Sequence, residues 1–186
     1  MKSNADYLKS QLLSADWEDQ KSITNQLFED GENSYLLELL QHEDSSIRNS
    51  VALTFKEHKY QDALDPLFKA VQTEAFRNSR GTLIFALQSL NCSNKLKELF
   101  NILFSATHNW EVQNGVLSIL DEQEFEFTTE ELRSIESTWM EVRGDWNRNN
   151  GIQEEKHTNF QIDEKIITEV LNGFLSHLNT EDKKRS

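Results

Sequence analysis

The chain has 186 residues, 37% of them hydrophobic and 27% charged, and a formal net charge of −13. That length suits one domain with a core of its own, and one Pro with six Gly is too few for a loop-rich or all-β protein. The acidity argues against a nucleic-acid binder, which needs a basic footprint to displace phosphate counterions, and points instead to a basic protein partner.

No window approaches an uncharged apolar span of about 18 residues, so no membrane segment is expected. Met1-Lys2-Ser3-Asn4-Ala5-Asp6 lacks the apolar centre of an export signal. Cys92 is the single cysteine, so no intrachain disulfide can form, which fits a reducing cytoplasm.

In chain order, Tyr7, Leu8, Leu12 and Leu13 have helical spacing, and Trp17 to Phe28 continues it with Ile23, Leu27 and Phe28. Asp30-Gly31-Glu32-Asn33 reads as a turn. Ser34 is placed to cap a helix whose apolar face is Tyr35, Leu36, Leu39 and Leu40. Asp44 is placed to cap a helix over Ser45–His58. Asp62 or Asp65 starts the next, which reaches Thr73 and carries Pro66 in its first turn, where the missing N–H costs little. Phe76–Leu90, Lys95–Ser105 and, behind Asn109 as cap, Trp110–Glu122 follow as helices. Thr128 and Thr129 ahead of Glu130 and Glu131 start another, to about Arg143. Residues 144–161 have no apolar period and read as a long loop, and a last amphipathic helix over 162–178 is wide enough in its apolar stripe to cap the chain.

A period runs through the middle of this pattern. Leu64, Leu67, Phe68 and Val71 return 32 residues later as Leu96, Leu99, Phe100 and Leu103. Leu36 and Leu39 lie 32 residues before Phe68 and Val71. Ile47, Val51, Ala52 and Phe55 return as Ser79, Leu83, Ile84 and Leu87, and 33 residues further on as Val112, Val116, Leu117 and Leu120. A fixed period in the thirties marks stacked helical hairpins.

Residues 34–122, and Asp44-Ser45-Ser46-Ile47-Arg48-Asn49-Ser50-Val51-Ala52 above all, resemble HEAT repeats, in which a first helix with spaced leucines turns through Asp-x-x-Val-Arg into an apolar second helix. Arg80 stands in the arginine position of the next unit behind Ser79 rather than Val; in the third, Val112 is kept and Gln113 replaces the arginine. The resemblance implies one all-α domain over 1–186, a right-handed α-α superhelix of stacked antiparallel helix pairs with about nine or ten helices, with diverged repeats at the flanks. It also implies that Ser45–His58, Phe76–Leu90 and Trp110–Glu122 line the concave face.

Catalytic chemistry has little support in these residues. No two of the five histidines stand at i, i+4 on a helix, no Gly-x-Ser-x-Gly elbow occurs, and no glycine-rich loop could cradle a phosphate. Glu154, Glu155 and His157 read as solvated loop charges before a metal cluster, and Cys92 as a bystander thiol. No catalytic residue, cofactor or metal is therefore assigned.

Two features stand out for binding. Arg48, Asn49, Arg77, Asn78, Arg80, Gln113 and Asn114 form a polar ladder at repeat spacing. Arg48 and Arg80 read first as ties between adjacent units, bonding turn carbonyls or acids such as Asp44, whereas Arg77, Asn78 and Asn114 are placed to face outward. The second feature is the run Asp121, Glu122, Glu124, Glu126, Glu130, Glu131, Glu136 and Glu141, with Arg133 its one internal cation. It reads either as an anionic platform for a Lys/Arg-rich surface or as a solvated face with helix N-terminal acids. Trp110, Trp139 and Trp146 flank it, a composition of interface hot spots, although Trp139 reads equally as core. The expected partner-binding set is Arg77, Asn78, Trp110, Glu111, Asn114, Asp121, Glu122, Glu124, Glu126 and Trp146.

The function expected is a non-enzymatic protein-binding module of the cytoplasm. A bacterial immunity protein neutralising a cationic toxin is one concrete form of it. Among HEAT-like proteins the rivals are an alkylpurine DNA glycosylase, a bilin lyase, or a scaffold or regulatory subunit.

Overall fold

The computed structural model describes residues 4–106, 109–149 and 164–182. Over these residues the protein is all-α, with ten α-helices, two short 3-10 turns and no strand. They are α1 (Asn4–Leu12), α2 (Trp17–Glu29), α3 (Asn33–Leu39), α4 (Ser45–Glu57), α5 (Leu64–Gln72), α6 (Gly81–Leu87), α7 (Leu96–Ser105), α8 (Trp110–Glu122), α9 (Thr129–Asn149) and α10 (Glu164–Asp182). None of them is long and apolar enough to cross a membrane. The chain divides into two compact units, 1–92 and 93–186.

In the first unit α1 packs on α2, α3 on α4 and α5 on α6, three successive helix pairs, while α2, α4 and α6 pack side by side in a row. The periodic positions explain this. Ile47, Val51, Ala52 and Phe55 of α4 are buried, and so are Leu83, Ile84 and Leu87 at the equivalent places of α6. Leu36, Leu39, Leu64, Leu67, Phe68 and Val71 fill the opposite row from α3 and α5. Such side chains contribute about 1.5–3 kcal/mol each on full burial, so the recurring apolar stripe dominates the packing.

Small polar groups join the row at fixed heights. Thr54 donates to Thr24 between their hydroxyls at 2.9 Å, and Ser46 donates to the Gln20 side-chain oxygen at 2.6 Å. Lys21 and Glu57 form an ion pair at 2.8 Å across the same seam, half-exposed and therefore worth little.

The largest polar device is Arg48, only 2% exposed. Its guanidinium donates to the carbonyls of His42 at 2.6 Å and Glu43 at 2.9 Å, and to the Ser79 hydroxyl at 2.6 Å. It also lies 3.7 Å from the centroid of the Phe76 ring. Burial holds its pKa below the ordinary arginine value, with Asp44 opposing that shift. Arg48 thus closes the α3–α4 turn and ties it to the 3-10 turn ahead of α6. Arg80 repeats the device with longer contacts, to the Thr73 carbonyl at 3.5 Å and to Glu74 at 3.6 Å.

Several boundaries differ from the sequence expectation. The helix expected over Phe76–Leu90 is split: Glu74–Ser79 is a 3-10 turn and α6 begins at Gly81. The Ser79 hydroxyl donates to the Phe76 carbonyl at 3.2 Å, Arg80 is drawn back to Thr73, and Gly81 is a poor helix former. Ser34 is not the cap of α3, which starts at Asn33 with no side-chain cap. The long loop expected from Gly144 begins later: α9 continues through Gly144 to Asn149. One glycine costs a helix about 1 kcal/mol, too little to end one already anchored by buried Leu132, Ile135 and Trp139. The rest of that expected loop, 150–161, lies outside the described residues, as do 162 and 163, where the final helix was expected to begin; that helix is described over Glu164–Asp182 and so runs four residues past the expected end at 178.

Helices α2 and α4 end alike. Glu32 N–H donates to Leu27 O at 2.9 Å behind Gly31 at φ +81°, and Tyr60 N–H donates to Phe55 O at 3.0 Å behind Lys59 at φ +48°. Both are left-handed C-terminal caps, and Gly31 takes that backbone without strain while Lys59 does not. Lys59→Gly is expected to stabilise the protein by up to about 1 kcal/mol, measured by urea unfolding. Arg48→Ala is expected to cost about 3 kcal/mol in the same measurement, because two turn carbonyls lose their donor inside the core; Arg80→Ala should cost less.

Candidate interaction surface

In the second unit α7 packs on α8 and on α9, and α9 packs on α10. Leu96, Leu99, Phe100 and Leu103 of α7, with Val112, Val116, Ile119 and Leu120 of α8, form the inner layer. Asn109 caps α8 by accepting the Val112 N–H at 3.2 Å, and the Thr128 hydroxyl accepts the Glu131 N–H at 3.1 Å at the start of α9. Trp139 of α9 is buried, stacks on Phe104 at 5.0 Å and donates its indole N–H to the Thr168 hydroxyl of α10 at 3.1 Å.

The segment joining α8 to α9 leaves the helix at Gln123, an extended residue with ψ 150°, and its burial alternates residue by residue through Phe127. Alternate side chains of an extended segment face opposite ways. Phe125 and Phe127 are half-buried, with ring centroids 5.8 and 5.9 Å from Phe174 of α10, while Glu124 and Glu126 between them are exposed. Phe174 meets Phe100 of α7 as well, at 5.8 Å, and the Glu126 N–H donates to Ser93 O at 2.9 Å. One aromatic cluster therefore straps the segment down and presents its carboxylates outward.

Seven of the eight acids of the run are exposed and Glu131 is half-exposed. Among the described residues none of the eight is within 4.0 Å of a Lys or Arg nitrogen. They divide by local electrostatics. Glu130 and Glu131 sit in the first turn of α9, where a carboxylate is favoured by the helix dipole. Asp121 and Glu122 sit in the last turn of α8, the negative end, where each is disfavoured by about 0.3–1 kcal/mol, and no basic residue offsets them there.

Asn114 and Asp121 also line a groove of about 560 Å³ between α8 and α10. Leu117 enters it from α8, and Ile166, Val170, Gly173 and Phe174 from α10. The groove carried no signal of its own in the sequence beyond the unusual width of the α10 apolar stripe.

Trp110 is 44% exposed, but it opens α8, about 16 Å along the helix from Asp121, with exposed Glu111 beside it. Trp139 is core. The Trp146 side chain lies outside the described residues. Arg77 and Asn78 are exposed in the 3-10 turn of the first unit, with Arg77 3.5 Å from Glu74. Gln113 is buried, and Asn49 is half-buried. Cys92 is buried, with its thiol 3.6 Å from Leu87 O. No group of three His, Cys, Asp or Glu suited to a metal occurs among the described residues, and Glu154, Glu155 and His157 lie outside them.

Comparison with known protein families, curated proteins and solved structures found no match. Phe174→Ala is expected to cost about 2 kcal/mol and to speed amide exchange at Glu126 more than at buried α7 positions, read by hydrogen exchange.

Proposed function

We propose that the chain is a non-catalytic, HEAT-like protein-binding module whose acidic surface takes a basic protein partner. The observation that carries this reading is the placement of Asp121, Glu122, Glu124 and Glu126: four successive acids of the run at and beyond the wrong end of a helix, exposed and, among the described residues, with no Lys or Arg nitrogen within 4.0 Å. A purely solvating face would put its acids where the backbone welcomes them, as Glu130 and Glu131 do. Residues that break a local rule without an internal gain are where function is expected. A partner surface rich in Lys and Arg supplies the missing counter-charge and gains on-rate from the field of a chain at −13.

The narrower form of the proposal is an immunity-type inhibitor acting in the cytoplasm, which covers the cationic face of a toxin. A glycosylase is the competing reading, and turnover of alkylated duplex DNA would put it first. The direct test is titration of a folded protein of high isoelectric point at several salt concentrations. Glu124→Lys with Glu126→Lys is expected to weaken binding at least tenfold and to flatten its salt dependence, with thermal unfolding unchanged. Equal binding by the double variant would end the proposal.

A further inference from the structure

The groove between α8 and α10 has the shape and the charge of a seat for a helix. It is lined from α8 by Asn114, Leu117 and Asp121, an i, i+3, i+7 strip, and from α10 by Ile166, Val170 and Gly173, an i, i+4, i+7 strip. The α10 apolar stripe is split along its length. Ile167 and Leu171 are buried, whereas Ile166 stays 39% exposed and Val170 half-exposed on the groove side. The α10 lining runs from Ile166 to His177, about 16 Å, or three helical turns. Walls this exposed suit a macromolecular segment laid along them better than a small molecule enclosed by them.

Charge selects the segment. Helix α8 carries three acids and no Lys or Arg, and α10 carries four acids and one Lys. That Lys, Lys165, lies 3.7 Å from Glu169, both side chains largely exposed. An acidic helix would be repelled from both walls and a neutral one would leave Asp121 at the rim without a counter-charge. We infer that the α8–α10 groove binds an amphipathic helix of the basic partner, whose apolar anchors repeat at i, i+4 and i+7 and whose flanks carry Lys or Arg. This inference rests on the acidic-surface reading and adds a defined seat to it.

Gly173 supplies the test. A Cβ built there meets nothing within 4 Å, so a larger side chain enters the groove and not the core. The probe is a model peptide with Leu at i, i+4 and i+7 and Lys on an Ala background, against a scrambled peptide of the same composition and a Glu-for-Lys version. The expected result is affinity for the amphipathic Lys peptide at least tenfold above both controls, lost in Gly173→Leu and kept in Gly173→Ala, with thermal unfolding no lower in either. Equal binding of the scrambled peptide, or indifference to Gly173→Leu, overturns the groove and leaves the acidic-surface reading standing. Failure of every Lys peptide to bind overturns both. Sedimentation velocity covers the remaining occupant: a wild-type dimer that Gly173→Leu converts to monomer puts a second copy in the groove and overturns the inference.

Discussion

A guanidinium withdrawn from water is tolerated only if most of its donors are used, and the first unit is arranged to use the two terminal nitrogens of Arg48, while its Nε is buried without a partner. Its charge is opposed by burial, so the His42 and Glu43 carbonyls, the Ser79 hydroxyl and the Phe76 face must stand where they do. That requirement fixes the α3–α4 turn and the approach to α6 together. The leucine and valine stripes supply the larger free energy, yet they are tolerant of sliding, since one apolar side chain replaces another at small cost. Arg48 is what makes one register preferable, because a slip of one residue would leave two carbonyls and a cation unsatisfied. Thr24 with Thr54 and Gln20 with Ser46 act in the same sense on the other side of α4.

The second unit is governed by an opposite economy, in which charge is left unsatisfied. Phe125, Phe127 and Phe174 hold the segment against α10, with Glu124 and Glu126 exposed beside these rings. Aromatic packing there stabilises a local charge density that electrostatics alone would disperse. Helix α8 meanwhile ends in Asp121 and Glu122 with no basic residue in its last turn. A fold can hold such a feature because the core formed by α7, α8 and α9 is large beside a penalty of about 0.3–1 kcal/mol per carboxylate.

How far the sequence revealed this depends on the kind of interaction concerned. Periodic apolar burial was legible: the positions that repeat at 32 and 33 residues are nearly all interior, Ser79 and Leu117 being the half-buried exceptions. The caps at Asp44 and Asn109 were legible too, since a side chain that bonds its own turn leaves a local signature. The break before α6 was not, because it comes from Arg80 being pulled toward Thr73, seven residues back. The left-handed backbone at Lys59 was hidden by its residue type. Gly144 misled in the other direction, as a weak helix former overruled by the buried Leu132, Ile135 and Trp139 earlier in the same helix. In the binding surface the acids were visible but their inequality was not, since dipole sense depends on which helix end each acid occupies. Nearness in sequence was no guide to where Trp139 and Trp110 point, with Trp139 turned inward to Thr168 and Trp110 at the far end of α8.

The α10 stripe carries the last step. A terminal helix that only sealed the core would need Ile167, Leu171 and their neighbours on one face and polar residues elsewhere. Instead Ile166 and Val170 extend the apolar face sideways, and Gly173 in the following turn keeps that flank low. Glycine there weakens the helix by about 1 kcal/mol relative to alanine, with no tight backbone approach and no left-handed turn to require it. Exposed apolar side chains, a helix-weakening residue and uncompensated acids each disfavour the isolated chain. They coincide along one trough, and a basic amphipathic helix lying in it relieves the exposed apolar surface and the repulsion at once, in the space that the glycine leaves open.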